Sequence, residues 1–206
     1  MRILGLSGSL RAGSHNSTLL RAAADLLPDT AELTLFAHLR ALPPYDEDAD
    51  LAFAPAAVEV LRSQIAAADA LLIATPEYNG SVPGVLKNAL DWASRPFPDN
   101  VLRAKPSAVI GASTGLFGAV WAQAEIRKAL RIAGADVLGD ELAVGLAGEA
   151  FTAAGALRDP HVAGALAALV RRLVEHTQAP CLDAAPHFDG PGRDRTCARR
   201  IMSPLL

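Results

Sequence analysis

Residues 70–93 read ALLIATPEYNGSVPGVLKNALDWA. ALLIAT (70–75) is an unbroken apolar run, the pattern of a parallel strand covered on both faces. TPEYNGSVPG (75–84) is punctuated by Pro, Asn and Gly, which end any regular element and build a turn. Pro83 then sits where a first helical turn tolerates proline. From there to Ala93, the residues Val85, Leu86, Ala89, Leu90 and Trp92 fall largely on one side of a helix, with Lys87, Asn88 and Asp91 opposite. A buried strand, a loop and an amphipathic helix in this order make part of a βαβ unit, and so predict a parallel sheet.

The same alternation extends in both directions. Residues 2–7 (RILGLS) read as a buried strand, and Ser17 to Leu27 as a helix that Pro28 stops. Residues 31–36 (AELTLF) alternate like a second strand; a loop around Pro43, Pro44 and Tyr45 carries the acidic run DEDAD, and a helix is expected near 55–68. Further on, SAVIGAS (107–113) reads as the fourth strand and 119–133 as a helix with Gly134 at its C′ position. A fifth strand is expected over 135–144 and a last helix over 160–177. The order implies an α/β fold: a doubly wound five-stranded parallel sheet, order 2-1-3-4-5, with helices on both faces. Its ligand crevice opens at the carboxyl ends of strands 1, 3 and 4, so the loops 8–17, 76–82 and 112–118 are expected to carry the chemistry. The domain is expected to span 1–179. Residues 180–206, with Gly190, Gly192 and the arginines 193, 195, 199 and 200, show no sustained period and read as a flexible tail.

Composition removes several alternatives. The chain has 206 residues, 51% of them hydrophobic, enough for one sizeable core and too much for global disorder. A net charge of −3 argues against a partner that is nucleic acid or an acidic membrane. Cys181 and Cys197 cannot build a disulfide framework or a four-ligand zinc site, and the five histidines show no metal-type spacing. The opening MRILGLSGSLR is too short and wrongly flanked for a signal peptide, and no apolar run approaches the roughly 18 residues of a membrane span. The expectation is a cytoplasmic protein with no membrane contact.

The first loop, GSLRAGSHNST (8–18), lies between a strand and a helix, where free backbone N–H groups and the helix dipole favour an anion. Ser9, Ser14, Asn16, Ser17 and Thr18 add short donors, and Arg11 adds a permanent charge able to fork two phosphate oxygens. Helix capping accounts for one or two of these residues, not for five and an arginine. The loop is neither G-x-G-x-x-G nor Gly-Lys-Ser/Thr; its donors suit a terminal phosphomonoester. The second loop, 75–84, can lie flat against a planar heterocycle with its N–H groups aimed at ring atoms, or can be a tight structural turn with Tyr78 as a lid on the core.

SGSLRAGSHNSTLLRAA (7–23) and TPEYNGSVPGVLKNALDWASRP (75–96) resemble the two signature segments of the NADPH-dependent FMN reductase family, and the resemblance runs over about residues 2–178. It implies a flavodoxin-like fold, FMN as cofactor, and NADPH or NADH as co-substrate. The acceptor would be a quinone, an azo compound, a metal ion or free flavin. Carried over by position, Ser9, Arg11, Ser14, Asn16 and Ser17 would meet the FMN phosphate, with His15 inside the same segment. Pro76, Glu77, Tyr78 and Asn79 would meet the isoalloxazine, with Gly80 beside them where several relatives have a bulky aromatic. Ser113 would sit at the ring's polar edge. FMN would carry the chemistry, so no catalytic side chain or resident metal is expected. The resemblance also implies a homodimer or homotetramer. Trp92 and the following Arg95-Pro96-Phe97-Pro98 are the kind of residues enriched at interfaces, the alternative being that Trp92 and Phe97 complete the core. The competing function is a flavodoxin-type electron carrier. Such carriers use a Thr/Ser-x-Thr-Gly-x-Thr phosphate loop and are strongly acidic, unlike this chain.

Overall fold

The computed structural model describes residues 1–179. The expected tail, 180–206, and both cysteines lie outside the described residues. Strands β1 (Arg2–Ser7), β2 (Glu32–Leu35), β3 (Ala70–Thr75), β4 (Pro106–Ala112), β5 (Asp136–Val137) and β6 (Leu142–Val144) form one sheet. Helices are α1 (His15–Ala24), α2 (Glu47–Ala52), α3 (Ala56–Ala67), α4 (Gly84–Ala93), α5 (Val120–Ile132) and α6 (Pro160–Gln178). The strand order is β2-β1-β3-β4-β5, with every pair parallel, as the sequence predicts.

Burial follows from the pleat. In β3 and β4 every residue is buried, which explains why ALLIAT reads as one apolar run. Successive side chains go to opposite faces. Leu4, Leu6, Leu71, Ile73 and Val109 join Val58, Leu61 and Ile65 of α3, Leu86 and Leu90 of α4, and Ile126 and Leu130 of α5 in one core. Ile3, Leu72, Ala74, Ala108 and Ile110 join Leu19, Leu20 and Ala23 of α1 and Leu166, Val170 and Leu173 of α6 in the other. The sheet is therefore wound on both faces.

Four expectations need correction. The fifth strand is not continuous: Asp136–Val137 and Leu142–Val144 pair separately with β4, and after Leu138, whose N–H still donates to the Ser107 carbonyl, residues 139–141 leave the ladder. There Asp140 pairs with Arg172 of α6 and Glu141 with Arg127 of α5. The first helix runs over 15–24 instead of 17–27, because Ser14, not Ser17, is its N-cap. The acidic run is no plain solvated loop. Asp46 caps α2, and Asp50 forks Arg62 of α3 at 2.7 and 2.9 Å while the same guanidinium reaches the Trp92 carbonyl at the end of α4. Finally, Trp92 belongs to the core: it is wholly buried, its Nε1 donates to the Pro43 carbonyl at 2.8 Å, and Tyr45 packs on it edge-on. Phe97 alone of that pair is exposed, at 64%.

Candidate functional site

The three expected loops meet at the carboxyl edge of the sheet. The Gly8 N–H donates to the Ala74 carbonyl at 2.8 Å, joining the start of the first loop to the end of β3. Asn16 joins the first loop to β4: its Nδ2 donates to the Ala112 carbonyl and its Oδ1 accepts from the Ala112 N–H, each at 2.9 Å. Asn16 is 2% exposed, so this two-way clamp replaces the ladder bonds that β4 has run out of. What Asn16 has left to donate is its backbone N–H and the second hydrogen of its Nδ2.

Around the start of α1 the donors converge. Ser14 Oγ accepts from the Ser17 N–H at 3.2 Å and so keeps its own O–H to donate. Ser9 Oγ likewise accepts from the Arg11 N–H at 3.4 Å. Arg11 is exposed and spends one guanidinium nitrogen on the Gly13 carbonyl at 2.9 Å. Ser17 Oγ lies 2.9 Å from Ser7 Oγ. The N–H groups of His15 and Asn16 head the helix without an acceptor among the described residues. The His15 ring stacks parallel on Phe151, 6.1 Å between centroids, which ties the segment after β6 to this loop. Hydroxyls, open N–H groups, a guanidinium and a helix N-terminus on one spot form an anion cradle.

The second loop is a hairpin turn. Tyr78 and Ser81 exchange both backbone hydrogen bonds at 3.1 Å, and the central Asn79 and Gly80 have φ of 53° and 73°. Both being left-handed makes the two-residue turn that favours Asn-Gly. Pro76 is buried, Tyr78 half exposed, and Asn79 and Gly80 stand at the open tip. The Glu77 side chain goes elsewhere: its Oε2 accepts from the N–H groups of Trp121 and Ala122 at 3.1 and 3.2 Å. Helix α5 has no cap of its own, since Ala119 precedes it with φ of 63°, so Glu77 supplies the missing cap from another segment.

In the third loop, the Ser113 N–H donates to the Val144 carbonyl, and its Oγ accepts from the Gly115 N–H at 3.2 Å. Gln123, 1% exposed, inserts beneath this loop and donates to the Gly118 carbonyl at 3.0 Å. Leu116, Phe117, Trp121 and Leu146 leave large apolar side chains exposed beside the hairpin, Phe117 and Trp121 packed edge to face at 5.2 Å. Sequence reading passed over Gln123 and Glu125 and gave Trp121 no place here. Glu125 and the Trp121 N–H work through partners 44 residues away, Ser81 and Glu77, for which local patterning carries no signal, whereas Gln123 bonds Gly118 only five residues back.

A family model described as NADPH-dependent FMN reductase matches residues 1–149. An NAD(P)H-dependent FMN reductase of Pseudomonas aeruginosa is 48% identical over 160 residues, 77% of this chain and 85% of that protein. A 2-hydroxy-1,4-benzoquinone reductase of a Burkholderia species is 47% identical over 127 residues, 62% of this chain and 68% of its own. Among solved structures, FerB, a flavoenzyme NAD(P)H:(acceptor) oxidoreductase from Paracoccus denitrificans, superposes with a TM-score of 0.79 at 37% identity, covering 86% of this chain and 97% of that one. The matched span contains the anion cradle, the Asn-Gly hairpin and the third loop together: the chain belongs to the NADPH-dependent FMN reductase family.

Proposed function

We propose that this protein is an FMN-dependent NAD(P)H oxidoreductase that reduces quinone-like acceptors in the cytoplasm, where NAD(P)H is supplied, and that it works as a homo-oligomer. The observation that carries the reading is the cradle at the N-terminus of α1, placed one strand away from a hairpin with an open tip. FMN has this shape: a dianionic phosphate at one end and a flat ring at the other.

The donor set fits the group. Ser9, Ser14 and Ser17 offer hydroxyls, His15 and Asn16 offer main-chain N–H groups, and Arg11 offers the charge. Bound there, FMN supplies reversible hydride chemistry that no side chain of the protein can provide. The chain's part is placement. The 76–80 segment would bed the ring, Ser113 would border its polar edge, and backbone N–H groups there would favour negative charge on it. Arg11 would offset one of the two charges of the phosphate. No helix among the described residues is long and apolar enough to cross a membrane.

An exposed apolar belt supports the assembly. Tyr78 of the hairpin, Leu116 and Phe117 of the third loop, Trp121 at the start of α5 and Leu146, bonded through its N–H to Gly115, are each more than half exposed. Monomers rarely leave such a belt to water, and a second copy packed over it would wall the crevice. The decisive experiment is turnover. Purified protein should release FMN on denaturation and oxidise NAD(P)H steadily with a benzoquinone; protein that carries FMN but supports no such turnover would be an electron carrier instead.

A further inference from the structure

We propose that Glu125 is a positioning residue that sets the pose of the flavin-facing hairpin; the proposal rests on the FMN reading above. Glu125 lies on α5, and its Oε2 accepts from Ser81 Oγ at 2.6 Å and from the Val82 N–H at 3.3 Å. The contact runs opposite to that of Glu77. Glu77, at the start of the hairpin, caps the N-terminus of α5; Glu125, one turn into α5, receives the donors at the hairpin's end. Residues 77–82 are thereby staked to one helix at both ends.

The geometry explains why a stake is needed. Buried Pro76 and Pro83 and the core-packed Val82 hold the flanks, but the tip, 78–81, closes only on itself and makes no other backbone bond among the described residues. Pro76 and Pro83 contribute no N–H groups with which the flanks could pair to a neighbour. Helix α5, in contrast, is anchored by the buried Ala122, Ile126 and Leu130. One Glu125 oxygen accepts from both the Ser81 hydroxyl and the Val82 N–H, and this double acceptance transfers the rigidity of α5 to the segment that beds the ring. No cation pairs with Glu125 among the described residues; Arg127, two positions on, is turned to Glu141.

Two substitutions separate this role from a bond of no consequence. Glu125→Ala removes the acceptor; Glu125→Gln keeps an acceptor oxygen and loses the charge. In the apo-protein, the Val82 amide should exchange with deuterium about tenfold faster in the Ala variant and near the wild-type rate in the Gln variant. By FMN titration, the Ala variant should bind about fivefold more weakly and the Gln variant near wild type, a deficit below that of losing a charged contact to the ligand itself. Melting temperatures of the apo-proteins should agree within about 2 °C, as befits a surface site. Wild-type affinity and wild-type Val82 exchange in the Ala variant would overturn the proposal. So would equal impairment of the two variants, which would make charge, not positioning, the cause. If the wild-type protein itself binds no FMN, the cofactor reading fails and takes the flavin role of Glu125 with it, while Val82 exchange still reports whether the stake exists.

Discussion

The two ends of the crevice are built on opposite plans. At the phosphate end most side-chain bonds are short in sequence: Arg11 to Gly13, Ser9 to Arg11, Ser14 to Ser17. At the ring end the bonds that hold the hairpin are long: Glu77 to residues 121 and 122, Glu125 to 81 and 82. A cradle made of one strand, one turn and one helix start can form wherever that segment folds. The ring bed exists only when α5 has docked on the sheet. Stability and cofactor affinity should therefore separate at the phosphate end, and move together at the ring end wherever a substitution disturbs the packing of the third loop or the docking of α5, not where it only cuts a surface bond such as that of Glu125.

The sharpest way to break the ring end is Gly118→Ala. Gly118 has φ of +58°, and a Cβ there would stand 2.5 Å from the Ala143 carbonyl carbon and 2.6 Å from the Val144 nitrogen. Both are backbone and cannot step aside. Left-handed strain and overpacking together cost roughly 2–4 kcal/mol, or about 5–15 °C in melting temperature for a domain of this size. The third loop moves with it, so FMN affinity should fall in the same variant. Calorimetry and FMN titration check both; a stable variant with a weakened site would contradict the coupling.

Asn16→Ala comes next, because its clamp on Ala112 is the longest-range side-chain bond within the phosphate end. It leaves the Ala112 N–H and carbonyl without their partner in a buried place, at a cost of about 2–3 kcal/mol. Thermal melting of the apo-protein reads it directly. An unchanged melting temperature would mean that water replaces the clamp.

Arg11→Ala should do the reverse. Arg11 is exposed and holds the Gly13 carbonyl alone, so the apo-protein should melt as the wild type does. FMN affinity should fall roughly tenfold to a hundredfold, the worth of a charged hydrogen bond. A loss of stability without a loss of affinity would reverse the assignment of this loop.

The difference between the ends also explains what the sequence could disclose. The strand order and both cores follow from runs such as ALLIAT and from helical spacing, which are local and redundant. The phosphate cradle is legible for the same reason, since a helix start following Ser and Gly announces itself. Asn16 and Glu77 lie in the expected loops, yet their side chains serve β4 and α5. No spacing within 8–18 or 75–84 specifies a partner 96 or 44 residues away. The broken fifth strand escaped notice because Asp140 and Glu141 leave the ladder for Arg172 and Arg127, cations that pattern alone assigns to solvent. Trp92 was ambiguous in principle: an aromatic on an amphipathic face suits a core or an interface equally, and the Pro43 carbonyl that decides the matter is 49 residues distant.

The smallest expected effect lies outside both ends and tests whether they are independent of the remainder of the fold. Asp50 is held below the ordinary carboxylate value of 3.8, first by its hydrogen bond with Arg62 and then by the charges of Arg62 and Arg95, against an opposing push from burial. A carboxyl whose value is lowered in the folded state adds stability at pH above its ordinary value, and that share is lost as pH falls through the lowered value. The window therefore lies below about pH 4, and the share is on the order of 1 kcal/mol for a pair near the surface. In Arg62→Met the melting temperature should be slightly lower at neutral pH and should fall less steeply than the wild type below pH 4. FMN affinity at neutral pH should stay within about twofold, since α2 and α3 touch neither the cradle nor the hairpin through a side-chain bond among the described residues. Equal acid slopes in the two proteins would show that the pair contributes nothing. A large affinity change would show that α4, whose last turn receives Arg62 at the Trp92 carbonyl, passes strain on to the hairpin that precedes it.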